Sequence, residues 1–268
     1  MRPSLTTYAF CRPIFNRQTS AERLFMSTHT GIPPPPTSNR VLNALPPAEY
    51  ERLSPYLEAV PLPLGEILYR PEEIITHVYF PNRGTVSVLC VLEDGRMVEA
   101  GMVGNEGMFG VSVFLGSITT PLQAVVQLPG DALRMRADVL RQEFGKCGEF
   151  QDLLLRYTQA FLIQIAQTAA CNRAHPIDGR MARWLLMCHD RAGSGELALT
   201  HEFIATMLGS RRSGVTEAAI KLQDDGVIKY RRGHVKILDR QGLEAVSCEC
   251  YPVVKREFDR LLGPGVQA

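Results

Sequence analysis

Residues 199–226 read LTHEFIATMLGSRRSGVTEAAIKLQDDG, and their spacing predicts two short helices separated by a tight turn. The first helix begins after Thr200, whose side chain suits an N-cap position. Gly209-Ser210 ends it, and a second helix is predicted over Arg211–Gln223. Ala205 is small enough for two helices to cross closely around a glycine-containing turn. This stretch therefore predicts a helix-turn-helix.

The start of the second helix carries candidate base contacts. The first residues of a recognition helix reach base edges in the major groove of DNA. Arg212 can donate two hydrogen bonds to guanine, and Glu217, one turn later, can accept one from cytosine. We predict base contacts by Arg211, Arg212, Ser213 and Glu217. Two adjacent arginines are more often a solvated helix face, so it is their place directly after the turn that favours contact with DNA.

A strand, a basic turn and a second strand follow over residues 227–238, which is the pattern of a wing. Cations on a wing suit phosphate contacts, which position a protein on DNA and make its binding sensitive to salt. The predicted phosphate contacts are Thr200, His201, Lys229, Arg231, Arg232, His234 and Lys236. The alternative is an ordinary hairpin with charged residues on its exposed side.

A long amphipathic helix is predicted upstream, because Glu149–Asn172 contains no glycine or proline and its apolar residues recur every three or four positions. Four further apolar residues, Leu153, Leu155, Leu162 and Ile163, make its apolar face broader than one core requires. We therefore predict that the helix contacts a second chain. The predicted dimer contacts are Leu154, Tyr157, Phe161, Ile165 and Thr168. The alternative is a helix packed wholly within one chain.

The segment from about Leu62 to Leu133 consists of short apolar stretches broken by glycines. Thr85–Leu92 alternates small or polar with apolar residues, and Met97–Val103 follows. Asp94-Gly95 between them favours a tight primed hairpin turn, because both residues tolerate positive φ. Several short strands with frequent turns predict a small antiparallel barrel or jelly roll.

Composition excludes several classes of protein. No apolar run is long enough for a membrane span, and the first thirty residues lack the apolar core of a secretory signal, so we expect a cytoplasmic protein. Seven cysteines at irregular spacings favour a reducing compartment over a disulfide framework. Cys248 and Cys250 are close together, but we find no second pair at zinc-like spacing and predict neither a metal nor a cofactor. No hydrolase elbow, phosphate-binding loop or metalloprotease motif is present, so we predict that the protein is not an enzyme.

With these elements in order, the chain resembles the Crp/Fnr family of bacterial transcription regulators over about residues 45–245. The most specific stretches are LTHEFIA at 199–205, MLGSRR at 207–212 and GVIKYRRG at 226–233. The resemblance implies a cyclic-nucleotide-binding jelly roll, a dimerisation helix and a winged helix-turn-helix. It also implies a homodimer on a two-fold symmetric site in double-stranded DNA, with RNA polymerase as a further partner.

The chain departs from the family pattern at several positions. Members that respond to cyclic nucleotides hold the phosphate with a Gly-Glu turn and a later Arg-Ser or Arg-Thr, whereas this chain has Gly110-Val111 and Pro121-Leu122. Oxygen-sensing members carry an N-terminal cysteine cluster, and only Cys11 is found there. Ser213 replaces the glutamate that often follows the recognition arginine, so we expect a different operator preference. The phrases at 103–107 (VGNEG) and 171–173 (CNR) resemble a subgroup but indicate no ligand.

The predicted fold class is α+β. The predicted domains are a disordered tail (1–40), a β-domain (41–148), a dimerisation helix (149–174), a winged helix-turn-helix (175–245) and a helical tail (246–268). The predicted function is a sequence-specific, dimeric, DNA-binding transcriptional regulator with an unknown effector. The alternative is a cyclic-nucleotide-binding module that signals through protein contacts.

Overall fold

The computed structural model describes residues 37–192 and 195–263. Residues 1–36 of the predicted tail therefore lie outside the described part of the chain. The predicted boundary at residue 40 is too late, because Asn39 is fully buried. Its side-chain amide donates to the carbonyl oxygens of Pro81 (2.9 Å) and Gly107 (2.7 Å). The ordered β-domain thus includes residues that were assigned to the tail.

The β-domain starts with two short helices, α1 (Arg40–Asn43) and α2 (Pro47–Leu53). Five strands follow: β1 (Glu58–Leu62), β2 (Ile67–Tyr69), β3 (His77–Val91), β4 (Met97–Val103) and β5 (Leu122–Arg136). All pairings in this sheet are antiparallel, in the order β1-β5-β3-β4, with β2 also pairing with β5. The predicted antiparallel β-domain is confirmed.

The hairpin between β3 and β4 is confirmed, but its turn differs from the predicted one. Leu92 N–H donates to Arg96 O (2.8 Å), and Gly95 N–H donates to Leu92 O (2.9 Å). Gly95 has φ +81°, whereas Asp94 is not among the residues with positive φ. Both primed turn types need positive φ at the first central residue, here Asp94, so the chain forms a longer loop that ends on a left-handed glycine.

The remaining elements form the C-terminal half. They are α3 (Ala137–Phe144), α4 (Glu149–Ala174), α5 (Ile177–Ala192), β6 (Glu196–Ala198), α6 (His201–Met207), α7 (Arg212–Asp224), β7 (Ile228–Arg231), β8 (His234–Ile237), α8 (Arg240–Val246) and α9 (Cys250–Leu262). Strands β6, β8 and β7 make a second antiparallel sheet in that order. The predicted long helix, helix-turn-helix and wing strands are all present, while β6 was not predicted.

The predicted dimer face of α4 is turned towards the protein's own core, so that prediction is corrected. Leu154 and Tyr157 are fully buried, Phe161 and Thr168 are 7% and 8% exposed, and Ile165 packs against the same cluster. Leu154, Tyr157, Phe161 and Ile165 pack into the core cluster that includes the β-domain strands, whereas Thr168 accepts a hydrogen bond from Arg183 on α5 (2.7 Å). The four buried members of this set are not available to a second chain.

Part of the breadth of the apolar face of α4 has an intramolecular cause. Helix α9 packs beside α4, and Val254, Phe258 and Leu262 join the core cluster of the β-domain. The Phe258 ring lies 6.4 Å from the ring of Tyr157. The predicted helical tail is therefore a packed helix that covers a second flank of α4.

The two halves of the chain are joined by buried polar contacts as well as by apolar packing. Trp184 on α5 donates from Nε1 to Glu99 on β4 (2.9 Å). Arg191 near the end of α5 forms a buried ion pair with Glu106, with Nη2 and Oε1 2.7 Å apart. Both contacts cross from the β-domain to the helical domain.

Five of the six described cysteines are free thiols: Cys90, Cys171, Cys188, Cys248 and Cys250. None of the helices in the described part of the chain has the length and apolar content that a bilayer crossing requires.

Candidate nucleic-acid interface

Helix α6 begins as its sequence predicts. The Thr200 side chain accepts a hydrogen bond from Phe203 N–H (3.2 Å), which satisfies one of the free donors at the helix start. Phe203 has no side-chain acceptor for the backbone N–H of Thr200, so only one of the two hydrogen bonds of a capping box forms. The Thr200 hydroxyl remains exposed and keeps its own proton for another acceptor.

The turn between α6 and α7 is set by Gly209, which has φ +57°. Ser210 N–H donates to Ala205 O (2.9 Å), and Ala205 itself is 4% exposed where the two helices cross. A larger side chain at Ala205 would separate α6 from α7, so its small size fixes how α7 is presented.

Helix α7 divides into a buried and an exposed face. Val215, Ala219 and Leu222 are fully buried, as their spacing predicted. The predicted base contacts Arg211, Arg212, Ser213 and Glu217 are all exposed. They lie at the start of the helix, where base contact requires them.

The Arg212 guanidinium makes only a long, exposed ion pair within the described part of the protein. Its nearest carboxylate is that of Glu202, with Nε and Oε2 3.9 Å apart, and both side chains are at least 70% exposed. An ion pair that long and that exposed contributes little stability. The guanidinium is therefore available to an outside partner.

His201 does not project towards solvent as a phosphate contact requires, and that prediction is corrected. Its ring stacks on Tyr230 with the ring centroids 4.1 Å apart, and its Nδ1 lies 3.0 Å from Thr216 Oγ1. Its Nε2 is buried without a partner among the described residues. Burial, and then the charge of Arg212, lower the pKa of His201 below its usual range. The residue is thus a neutral packing group that joins α6, α7 and β7.

The wing carries exposed cations at its tip. Arg232 has φ +50° and Gly233 has φ +81°, so β7 and β8 are joined by a two-residue turn of the primed class. Lys229, Arg231, Arg232, His234 and Lys236 are all exposed. His234 lies 3.4 Å from a carboxylate oxygen of Glu196 on β6. The sequence does not predict this contact, because it does not predict β6. The remaining four cations keep the positive charge that phosphate contact requires.

The β-domain contains a pocket lined by residues of β2, β3, β4 and β5 and by Phe161 of α4. Its wall includes Gly110-Val111 and Leu122, the two places at which the chain departs from the phosphate-binding pattern. Apart from Tyr69, Ser112 and Thr120, the lining side chains are apolar, and none is charged. The pocket thus lacks a cation to neutralise a phosphate.

The phrase at residues 103–107 has a structural role. A Cβ on Gly107 would lie 2.0 Å from the ring of Tyr157, and one on Gly104 would lie 2.6 Å from Cγ of Arg191. Both glycines are therefore required for the turn after β4 to approach α4 and α5 closely. The Tyr157 hydroxyl donates to Met108 O across the same contact (2.9 Å).

Comparisons with known proteins match both halves of the chain. Residues 59–147 match the cyclic nucleotide-binding domain family, and residues 179–246 match the Crp-like helix-turn-helix domain family. A CRP-like cAMP-activated global transcriptional regulator of Mycobacterium tuberculosis is 26% identical over 212 residues, covering 76% of this chain and 94% of that protein.

Solved structures share the fold. A Crp/Fnr family protein from Eubacterium rectale superposes with a TM-score of 0.61 at 22% identity, covering 77% of this chain and 96% of that one. FixK2 from Bradyrhizobium japonicum gives a TM-score of 0.59 at 19% identity, covering 72% of this chain and 98% of that one.

Proposed function

Because this chain belongs to the Crp/Fnr family of transcriptional regulators, we propose that it acts as a homodimer that reads a two-fold symmetric operator with two copies of α7. The observation that carries this proposal is the exposed start of α7 beside a cationic wing. Arg211, Arg212, Ser213 and Glu217 share one accessible surface, and no close ion pair competes for Arg212. Arg212 reads guanine, and Glu217 accepts from cytosine or orients an arginine.

Phosphate contacts come from the wing and from the start of α6. Lys229, Arg231, Arg232 and Lys236 lie on β7, the turn and β8, where exposed cations reach the DNA backbone. The Thr200 hydroxyl adds a neutral donor. His234 takes part more weakly because Glu196 lies beside it.

The dimer contact that we propose is the exposed stripe of α4 rather than its buried face. The exposed residues recur at alternating steps of three and four: Asp152, Leu155, Gln159, Leu162, Ala166, Ala169 and Arg173. This spacing is that of a coiled-coil seam, with Leu155, Leu162 and Ala169 at one of its two repeating positions. Leu155 and Leu162 are 46% and 55% exposed in one chain, and pairing with a second copy would bury them.

The β-domain is not expected to bind cyclic nucleotides in the usual way, since its pocket presents no charged side chain to a phosphate. This disfavours the alternative of a cyclic-nucleotide signalling module. A regulator of this kind works on DNA in the cytoplasm and signals to RNA polymerase. No enzymatic activity is proposed, because the family consists of transcriptional regulators.

Sequence-specific binding can be tested by selecting bound sites from a random DNA pool and comparing variants on the selected site. Arg212→Ala should weaken binding to that site by about 1–3 kcal/mol, roughly 5- to 150-fold, and relax the preference at one base pair. The matched control is Arg70→Ala. Arg70 is an arginine of the β-domain whose side chain is 59% exposed, and its loss should not change the affinity for DNA.

Substitutions in the wing should change DNA binding in a different way from Arg212→Ala. Arg231→Ala with Arg232→Ala should weaken binding to all sequences and reduce the salt slope by about 2, because two phosphate contacts are lost. Equal affinity of wild type and Arg212→Ala for every sequence, or loss of binding in Arg70→Ala, would contradict the proposed surface.

A further inference from the structure

Three cysteines and a histidine from distant parts of the chain converge at the end of α4. Cys171 and His175 belong to the last turn of α4 and its C-cap, and Cys248 and Cys250 belong to the junction of α8 and α9. Their four candidate ligand atoms all lie within 4.8 Å of one another. Cys171 and Cys250 are fully buried, and the His175 side chain is 20% exposed.

The spacing of these atoms fits a tetrahedral zinc site. With Zn–S bonds of about 2.3 Å and Zn–N bonds of about 2.0–2.1 Å, a tetrahedron has edges of about 3.8 Å between sulfurs and about 3.6 Å between sulfur and nitrogen. The Sγ atoms of Cys171 and Cys248 are 3.5 Å apart. Cys250 Sγ is 3.5 Å from Nδ1 of His175.

Neighbouring groups orient the candidate ligands. His175 directs Nδ1 at the sulfurs, while its Nε2 lies 3.1 Å from Oε1 of Glu249. A carboxylate is one of the usual partners of the far nitrogen of a zinc-bound imidazole, because it fixes the tautomer and the ring orientation. Gln167 donates to Cys250 Sγ (3.1 Å), as outer groups do to metal thiolates.

The charge around the cluster is also suited to a metal–thiolate group. Three thiolates, a neutral histidine and Zn²⁺ carry a net charge of −1. Arg180 and Arg183 on α5 lie close enough to interact electrostatically with these cysteines. Arg183 is 3% exposed, and its Nε has no hydrogen-bond partner among the described residues. A buried guanidinium is costly unless a negative charge lies nearby; Glu99 is one such group, and a metal–thiolate cluster would be a second.

We propose that Cys171, His175, Cys248 and Cys250 form a structural zinc site. Four protein ligands complete a tetrahedron and leave no open position, which is the arrangement of a structural rather than a catalytic site. The site would join the end of α4 to the start of α9, across 77 residues of sequence between Cys171 and Cys248. It would thereby hold α9 against the long helix.

The spacing of residues in the sequence does not point to this cluster, for an identifiable reason. Cys171 and His175 are four residues apart and form the second pair, but that pair straddles the end of a helix and lies more than 70 residues before Cys248. The Cys-x-Cys spacing of Cys248 and Cys250 is also tighter than that of the common zinc motifs.

The test uses untagged full-length protein, expressed with added zinc and purified under reducing conditions. Elemental analysis should find about one zinc per chain in the wild type and almost none in Cys248→Ser with Cys250→Ser. The matched control Cys90→Ser removes a free thiol of the β-domain and should retain the metal. Chelation should lower the melting temperature of the wild type and of the control but not that of the double variant.

Cobalt titration of the wild type covers the case in which the double variant fails to fold. Stripped protein should bind one Co²⁺ per chain, with visible bands of tetrahedral cobalt and near-ultraviolet bands of cobalt–thiolate bonds. Absence of stoichiometric zinc and of these cobalt bands would overturn the proposal. So would a Cys171–Cys248 disulfide in metal-free wild type, or full zinc content in the double variant.

Discussion

Glu99 shows how a single buried residue makes the contact between the two domains sensitive to pH. It is 5% exposed and accepts hydrogen bonds from Ser87 Oγ (2.7 Å) and Trp184 Nε1 (2.9 Å). Burial raises the pKa of Glu99 to about 7, although the bonds from Ser87 and Trp184 and the charges of Arg183 and Arg191 oppose the shift. The carboxyl therefore gains a proton near neutral pH.

The direction of the pH effect follows from the raised pKa. The folded protein binds this proton more tightly than the unfolded chain, so stability is highest below the ordinary pKa and falls as pH rises towards about 7. We expect Glu99→Gln to remove this loss. Between pH 5 and pH 8 the free energy of unfolding of the variant should rise relative to that of the wild type by up to about 3 kcal/mol, measured by urea unfolding.

The control is Glu93→Gln, a substitution of an exposed carboxylate on the turn between β3 and β4. Its difference from the wild type should not change with pH. A Glu99→Gln difference that is the same at pH 5 and pH 8 would show that Glu99 does not titrate in this range.

At the scale of one element, α4 has three faces, of which two are covered within the chain. One face packs on the β-domain through residues such as Tyr157, and α9 covers a second through Phe258. The third face is the exposed stripe that contains Leu155 and Leu162. The total apolar content of a helix thus indicates that it has partners, but not which face meets which partner.

The stripe leads to a prediction about assembly. Leu162→Asp places a charge in the middle of the proposed seam, where pairing would have to bury it. Sedimentation velocity at micromolar concentration should find the wild type at about twice the chain mass of 29.8 kDa and the variant largely monomeric.

The matched control is Leu64→Asp, since Leu64 is 58% exposed on the β-domain, close to the 55% of Leu162. It should remain dimeric. A monomeric wild type, or a Leu162→Asp variant as dimeric as the control, would contradict the coiled-coil seam.

For the molecule as a whole, the domain contact is built from polar groups that depend on one another. Arg191 and Glu106 are 9% and 5% exposed, and Glu106 also accepts the backbone N–H of Gly104 (3.1 Å). Arg191 donates in addition to Met187 O (2.7 Å). Removing one member leaves the other charge buried without a partner.

We therefore expect Arg191→Met to lower the free energy of unfolding by about 3–5 kcal/mol. Adding Glu106→Gln should recover part of this loss, because the unpaired carboxylate is then gone. A double-mutant cycle in urea measures the coupling between the two residues.

The comparison pair is Arg134 and Glu58, an exposed ion pair between β5 and β1. Arg134→Met should cost far less than Arg191→Met, since water screens exposed charges. Similar losses for the two substitutions, or strict additivity in the buried pair, would rule out the dependence proposed here.

The sequence alone determined the features that depend on neighbouring residues. The helix-turn-helix, the long helix and the basic hairpin follow from apolar periodicity, from the Thr200 cap and from the glycine turns, all of which act within a few residues. The exposure of Arg211 and Arg212 follows from the same local pattern, because the buried positions of α7 recur at helical spacing.

Only the tertiary structure decided what depends on segments far apart in the chain. In the folded protein Leu154 and Tyr157 are buried, His201 stacks on Tyr230, and Cys171 lies next to Cys248. Periodicity sets which residues share a face, but the element that covers the face is chosen by packing across the whole molecule. That is why the exposed start of α7 can be predicted from the sequence, whereas the exposed stripe of α4 and the cysteine cluster cannot.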